Sequence, residues 1–162
     1  MASVCFYFQV HQPYRLRQYS VFDTTPTYFA DDVNKEILEK VARKCYLPAT
    51  KLMLDLVRRH EGRFRIAYSL TGIIVQQCRD WCPEMIDLLG ELSDTGCCEF
   101  LAETYCHSLS FLYSHDEFRE QIDMHTKLMQ DLFGQTPTVF RNTELIYNND
   151  MAHFIAGLGR FR

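Results

Sequence analysis

Short apolar runs alternate along the chain with longer stretches whose apolar positions recur every three or four residues. Residues 4–10 (VCFYFQV), 64–70 (FRIAYSL), 97–102 (CCEFLA) and 137–141 (PTVFR) are rich in β-branched and aromatic side chains, which predicts four strands. The first has little polarity and reads as buried on both faces, the habit of a parallel strand; Pro13 lies just past its end. Helical spacing predicts helices over residues 31–45, 46–60, 72–79, 83–95, 114–133 and 148–156. Their ends carry the expected signals. Asp31 or Asp32 suits an N-cap, and Pro48 suits the first turn of the second helix. Ser114 with Glu117 three residues on forms a capping-box pattern, and Gly62 and Gly134 are stops. Gly157-Leu158-Gly159 reads as a turn into a fifth strand, and residues 11–28 form a long loop rich in Tyr, Arg and Phe.

Strands separated by helices predict a parallel sheet with crossover connections, so all strand C-termini lie on one face. That is the face on which barrels and open α/β sheets place their sites. Polar residues follow three of the four strands: His11-Gln12, then Glu103 with His107, then Arg141, Asn142 and Glu144. The last group lies in residues 138–147 (TVFRNTELIY), where an acid, an amide and a guanidinium crowd the end of an apolar run. Carboxylates are seldom buried without partners, so Glu144 is a candidate nucleophile or base unless it merely caps the next helix. Arg141 either sets the ionisation of Glu144 or is an ordinary ion-pair partner. Glu103 and His107 are four apart and would share a face on a helical turn. Trp81 is expected in the core, and His60, His115, His125 and His153 are expected to face solvent.

Four strands are too few to close a barrel, which takes about eight. The expectation is the N-terminal half of a larger catalytic domain, residues 1–162, with about four βα units and an open edge at the fourth strand that invites self-association. A net charge of −4 argues against electrostatic binding of nucleic acid. No run of eighteen apolar residues occurs, so no membrane span is expected, and the N-terminal segment lacks the basic start of a signal peptide. Seven cysteines without a C-x-x-C pair fit neither a disulfide framework nor a zinc site. They read as buried free thiols of a cytoplasmic protein.

A glutamate at a strand mouth, ringed by His, Arg, Asn and aromatic residues, suits sugar chemistry. A retaining glycosidase needs two carboxyl groups about 5–5.5 Å apart. Tyr14, Tyr19, Phe22 and Tyr28 would either stack on sugar faces or pack the loop. The chain resembles the N-terminal part of glycoside hydrolase family 57, the α-amylase and 4-α-glucanotransferase group. The resemblance rests on His11-Gln12-Pro13 after the first strand, Gly96-Cys97-Cys98-Glu99 entering the third, and Asn142-Thr143-Glu144-Leu145 after the fourth. It implies a distorted (β/α)7 barrel acting on α-1,4-glucans with retention, and Glu144 as the nucleophile. It places His11 beside the bound sugar and makes Glu99 an inward-facing carboxylate. With these go Gln12, Glu103, His107, Arg141 and Asn142 as substrate-site candidates, and neither metal nor cofactor. The family's acid/base Asp lies in a later motif that no stretch here matches, so the chain alone is expected to be inactive. Two alternatives stand beside this reading. One is an inactive or glycan-binding fragment. The other is a metal-dependent carbohydrate deacetylase or mannosidase, whose His-x-Asp ligand pattern is replaced here by His-Gln-Pro.

Overall fold

The computed structural model describes residues 4–162. Three parallel strands, β1 (Tyr7–Val10), β2 (Ile66–Leu70) and β3 (Cys98–Leu101), lie side by side in the order β1-β2-β3. Phe8 pairs with Tyr68 and Tyr68 with Phe100, so strand alternation puts these three on one face together with Val10 and Leu70. The opposite face carries Gln9 paired with Ser69, and Glu99 paired with Ala67. The architecture is α/β, part of a parallel-stranded barrel.

The apolar face is covered by helices. These are α1 (Asp31–Val41), α2 (Leu47–Arg59), α3 (Gly72–Trp81), α4 (Pro83–Asp94) and α5 (His115–Phe133). Leu38, Leu54, Ile74, Met85, Leu89 and Met129 are almost fully buried against Tyr68 and Phe100. Each such side chain stabilises the fold by roughly 1.5–3 kcal/mol. A second cluster joins α5 to α6 (Asn149–Gly157), where Phe118 and Ile122 meet Met151 and Ile155.

Several details depart from the sequence reading. β1 is not buried on both faces: Tyr7 is exposed and residues 4–6 precede the strand. α1 starts from Ala30 without a side-chain cap, and Asp31 and Asp32 occupy its first turn, where they complement the helix dipole. α1 and α2 do not separate at residue 45; a π-helical turn (Ala42–Tyr46) carries one straight into the other. Pro48 explains the slip in register, because it has no N–H to give to the carbonyl four residues back. α6 takes its N-cap from Asn148, whose side chain accepts from Met151 N–H, so Glu144 is not that helix's cap.

The fourth strand is reduced to a single parallel bridge between Ala102 and Phe140. Ala102 N–H donates to Val139 and Arg141 N–H donates to Ala102. Below that rung the Gln135 side chain takes the strand's place. Its amide oxygen accepts from Phe100 N–H at 3.2 Å and its amide nitrogen donates to the Cys98 carbonyl at 3.0 Å. Pro137 cannot donate, which leaves the ladder no donor to start from there. Past Gly159 the chain comes back alongside, and Arg162 N–H donates to Thr138 at 2.8 Å.

His125 is fully buried rather than solvent-facing. Its Nε2 donates to the Leu70 carbonyl at 2.6 Å, and burial pushes the imidazole down to about 4, so the ring is neutral. Trp81 is only half-buried, edge-on to Tyr14. All seven cysteines are free thiols, but only Cys78, Cys97 and Cys98 are buried.

Candidate active site

The strand C-termini bring together two polar layers on the face away from the helices. The lower layer is Gln9 from β1, Ser69 from β2, and Glu103 and Arg141, which follow β3 and the bridge. Arg141 donates to the Gln9 side-chain oxygen at 2.9 Å and reaches the Ser69 hydroxyl at 3.5 Å. Ser69 donates to Glu103 Oε1 at 2.7 Å, while Glu103 Oε2 is buried without a partner among the described residues. Burial pushes the Glu103 carboxyl up to about 7, against the opposing pull of the Ser69 hydrogen bond and the Arg141 guanidinium. The carboxylate that feels Arg141 is therefore Glu103. Among the described residues Arg141 forms no ion pair with Glu144.

The upper layer is a row of four side chains. Thr71, at the end of β2, is the N-cap of α3, with its hydroxyl oxygen accepting from Ile74 N–H. The same hydroxyl meets His11 Nδ1 at 2.9 Å. The His11 ring stacks on His107, with centroids 4.0 Å apart and planes 17° from parallel. His107 Nε2 lies 3.3 Å from Glu144 Oε1. The His107 side chain is 16% exposed and that of Glu144 is 47% exposed. Glu144 thus meets solvent on one side and the imidazole pair on the other. Desolvation and the neighbouring His107 lower His11 to about 4. His107 is lowered too, chiefly by burial, with Glu144 opposing and Arg141 assisting. Both rings are neutral near pH 7, so His107 offers Glu144 an N–H rather than a positive charge.

Glu103 and His107 do not pair. The chain between them is a turn, closed by His107 N–H on the Thr104 carbonyl, and His107 itself sits at a left-handed φ of 55°. A non-glycine residue there is strained, and such strain collects where a side chain must be aimed. The turn swings His107 away from Glu103 and toward Glu144. Tyr105, at its tip, packs flat on Gly72, where any Cβ would come within 2.4 Å of the ring.

Asn142 is buried and donates to the Ile146 carbonyl at 2.6 Å, closing the loop that carries Glu144. Thr143 is buried beside Thr104, with the two hydroxyls 3.3 Å apart. Gln12 turns away from the site, bonded to Tyr46 and Arg15. Glu99 shares the polar face but lies four residues before Glu103, toward the strand N-terminus, where it accepts from Thr138. Tyr19 and Tyr28 stack on each other at 5.2 Å and pack the loop.

Sequence reasoning passed over Gln9, Ser69 and Thr71. Their signal was present: Gln9 and Ser69 are the polar intrusions in two apolar strands, and Thr71 follows a strand directly.

The pattern of glycosyl hydrolase family 57 matches residues 5–160. The chain belongs to glycosyl hydrolase family 57. A Methanocaldococcus jannaschii protein provisionally named an alpha-amylase is 42% identical over 161 residues, covering 96% of this chain and 34% of that protein. The family 57 chain described here thus spans about a third of that relative's length. Its fold is similar to that of a 4-alpha-glucanotransferase from Thermococcus litoralis, with a TM-score of 0.70 at 15% identity over 96% of this chain and 21% of the other. A provisionally assigned polysaccharide deacetylase from Mycobacterium smegmatis is similar as well, with a TM-score of 0.57 at 15% identity over 96% of this chain and 48% of the other. The fold is thus shared with both solved structures, and the family assignment rests on the sequence match. Among the described residues no helix is long and apolar enough to cross a membrane.

Proposed function

We propose that this family 57 chain carries the nucleophile side of a retaining site acting on α-1,4-glucans, in hydrolysis or glycosyl transfer. The observation that supports this best is the His107–Glu144 contact at the strand C-termini. Glu144 Oε1 is engaged by His107 Nε2, which leaves Oε2 without a partner among the described residues on a half-exposed side chain. Oε2 attacks the anomeric carbon; the C1–O bond breaks and its electron pair leaves with the aglycone oxygen. A neutral donor on Oε1 aims the carboxylate without placing a positive charge beside it. His11 and Thr71 brace the His107 ring from behind. The leaving oxygen needs a proton from a second carboxyl group, and no carboxylate in this chain matches the family's acid/base motif.

A fluoride leaving group makes the test independent of that second group, because fluoride departs without protonation. The purified chain is incubated with 5-fluoro-α-glucosyl fluoride, whose ring fluorine slows release of the covalent intermediate. The expected result is one adduct per chain, mapped by peptide mass to Glu144 and lost in Glu144→Gln, with no turnover of starch by the chain alone. Labelling elsewhere, or no labelling, overturns the nucleophile assignment. Starch turnover overturns the expectation that the chain alone is inactive.

A further inference from the structure

A groove of about 480 Å³ lies outside the site described above, between the loop after β1 and the outer face of α3. Its walls are aromatic: Tyr14, Phe29 and Trp81, with Tyr14 5.0 Å from Phe29 and edge-on to Trp81 at 6.3 Å. Its rim is polar: Asp31, Gln76 and Asp80. A neighbouring hollow shares Tyr14, Gln76 and Asp80 and adds Arg79. Gln76, Arg79 and Asp80 are exposed and fall at helical spacing on one side of α3. Groove and candidate active site are joined by that helix. Its N-cap Thr71 contacts His11, and its first residue Gly72 supports Tyr105.

We infer that this groove is a second α-glucan-binding site, holding a short maltooligosaccharide segment with its sugar faces on Tyr14 and Trp81 and its hydroxyls on Gln76 and Asp80. The inference rests on the glucan reading of the family 57 site and extends it to residues the catalytic array does not use. Three features select this ligand class. The volume falls within the ~300–1,000 Å³ of small-ligand clefts. Aromatic faces flanked by side chains that both donate and accept suit the alternating C–H faces and hydroxyl edges of a sugar. Two carboxylates against one guanidinium leave the rim acidic, which disfavours phosphorylated or carboxylated ligands. Tyr14 bears this out locally: burial and the nearby Asp80 and Asp31 carboxylates raise its phenol above the usual range, so it stays protonated as a donor.

The chain contains a single tryptophan, so the emission of Trp81 reports this groove alone. Maltoheptaose is titrated into the 162-residue chain while Trp81 fluorescence is followed. The expected result is a saturable change that Tyr14→Ala and Asp80→Asn each weaken about tenfold, with far-UV circular dichroism unchanged. Glu144→Gln should leave the titration as in the wild type. Cellobiose and sucrose at the same concentration should give no change. Absence of a response to maltoheptaose, or an equal response to the control sugars, overturns the inference. A response to calcium or to an oligolysine peptide without one to maltoheptaose overturns it in favour of a cation-binding groove. The fluoride-labelling result is read separately: an adduct at Glu144 with a silent Trp81 removes only the groove, and a responsive Trp81 without an adduct removes only the nucleophile.

Discussion

Glu103 is an acid with one satisfied oxygen, buried beneath the upper layer of the candidate site, and its cost depends on pH. Its folded carboxyl titrates at about 7 against an ordinary 4.5. Between those values the folded chain holds the proton that the unfolded chain has lost. Stability is therefore fully present below pH 4.5, declines as pH rises, and has lost about 3 kcal/mol above pH 7. Glu103→Gln removes this titration. Urea melts from pH 5 to pH 8 should show the variant gaining on the wild type across that window. A constant difference between the two would mean that the carboxyl is already ionised in the fold. His125 works in the opposite sense. Its imidazole is held down to about 4, so its contribution is complete above pH 6.5 and fades as pH falls toward 4.

Elements were more legible than the contacts among them. Strand and helix positions follow directly from period and cap signals, because those signals are local. His125 looks solvent-facing by its chemical type, yet the stripe Phe118, Ile122, His125, Met129 puts it on the buried face of α5. The partner of Glu103 could not be read, because it depends on Ser69, thirty-four residues away. Nor could the left-handed turn at His107, since nothing in ETYCH marks a positive φ. The fourth strand failed for a similar reason: a glutamine side chain competes with backbone for the rungs of β3, and pattern does not register that competition. The contact between α3 and the 103–107 turn yields a prediction at this scale. Gly72→Ala forces the Tyr105 ring to move, which should cost roughly 1–3 kcal/mol. It should also alter the His107 ring resonances in NMR spectra. Wild-type stability and shifts in the variant would show that the ring yields freely.

The whole molecule is a sheet with a polar face open on the side away from the helices. The edge expected to attract partners was the fourth strand, but β1 is the more available one. Its outer side has no strand partner among the described residues, and Phe6 and Tyr7 are about half exposed. Unpaired edges with exposed aromatic residues drive association. Sedimentation velocity at increasing concentration should show a reversible step above the monomer, weakened by Tyr7→Lys. A species that remains monomeric into the hundreds of micromolar would show that the edge is guarded.

The Gln135 amide limits how far such association can run. It stoppers the β3 margin at Cys98 and Phe100, and Arg162 occupies the flank of Thr138. A fibril needs two adhesive margins per subunit, one to give and one to receive. With one margin sealed by a single side chain, pairing through β1 would stop at two copies joined about a twofold axis.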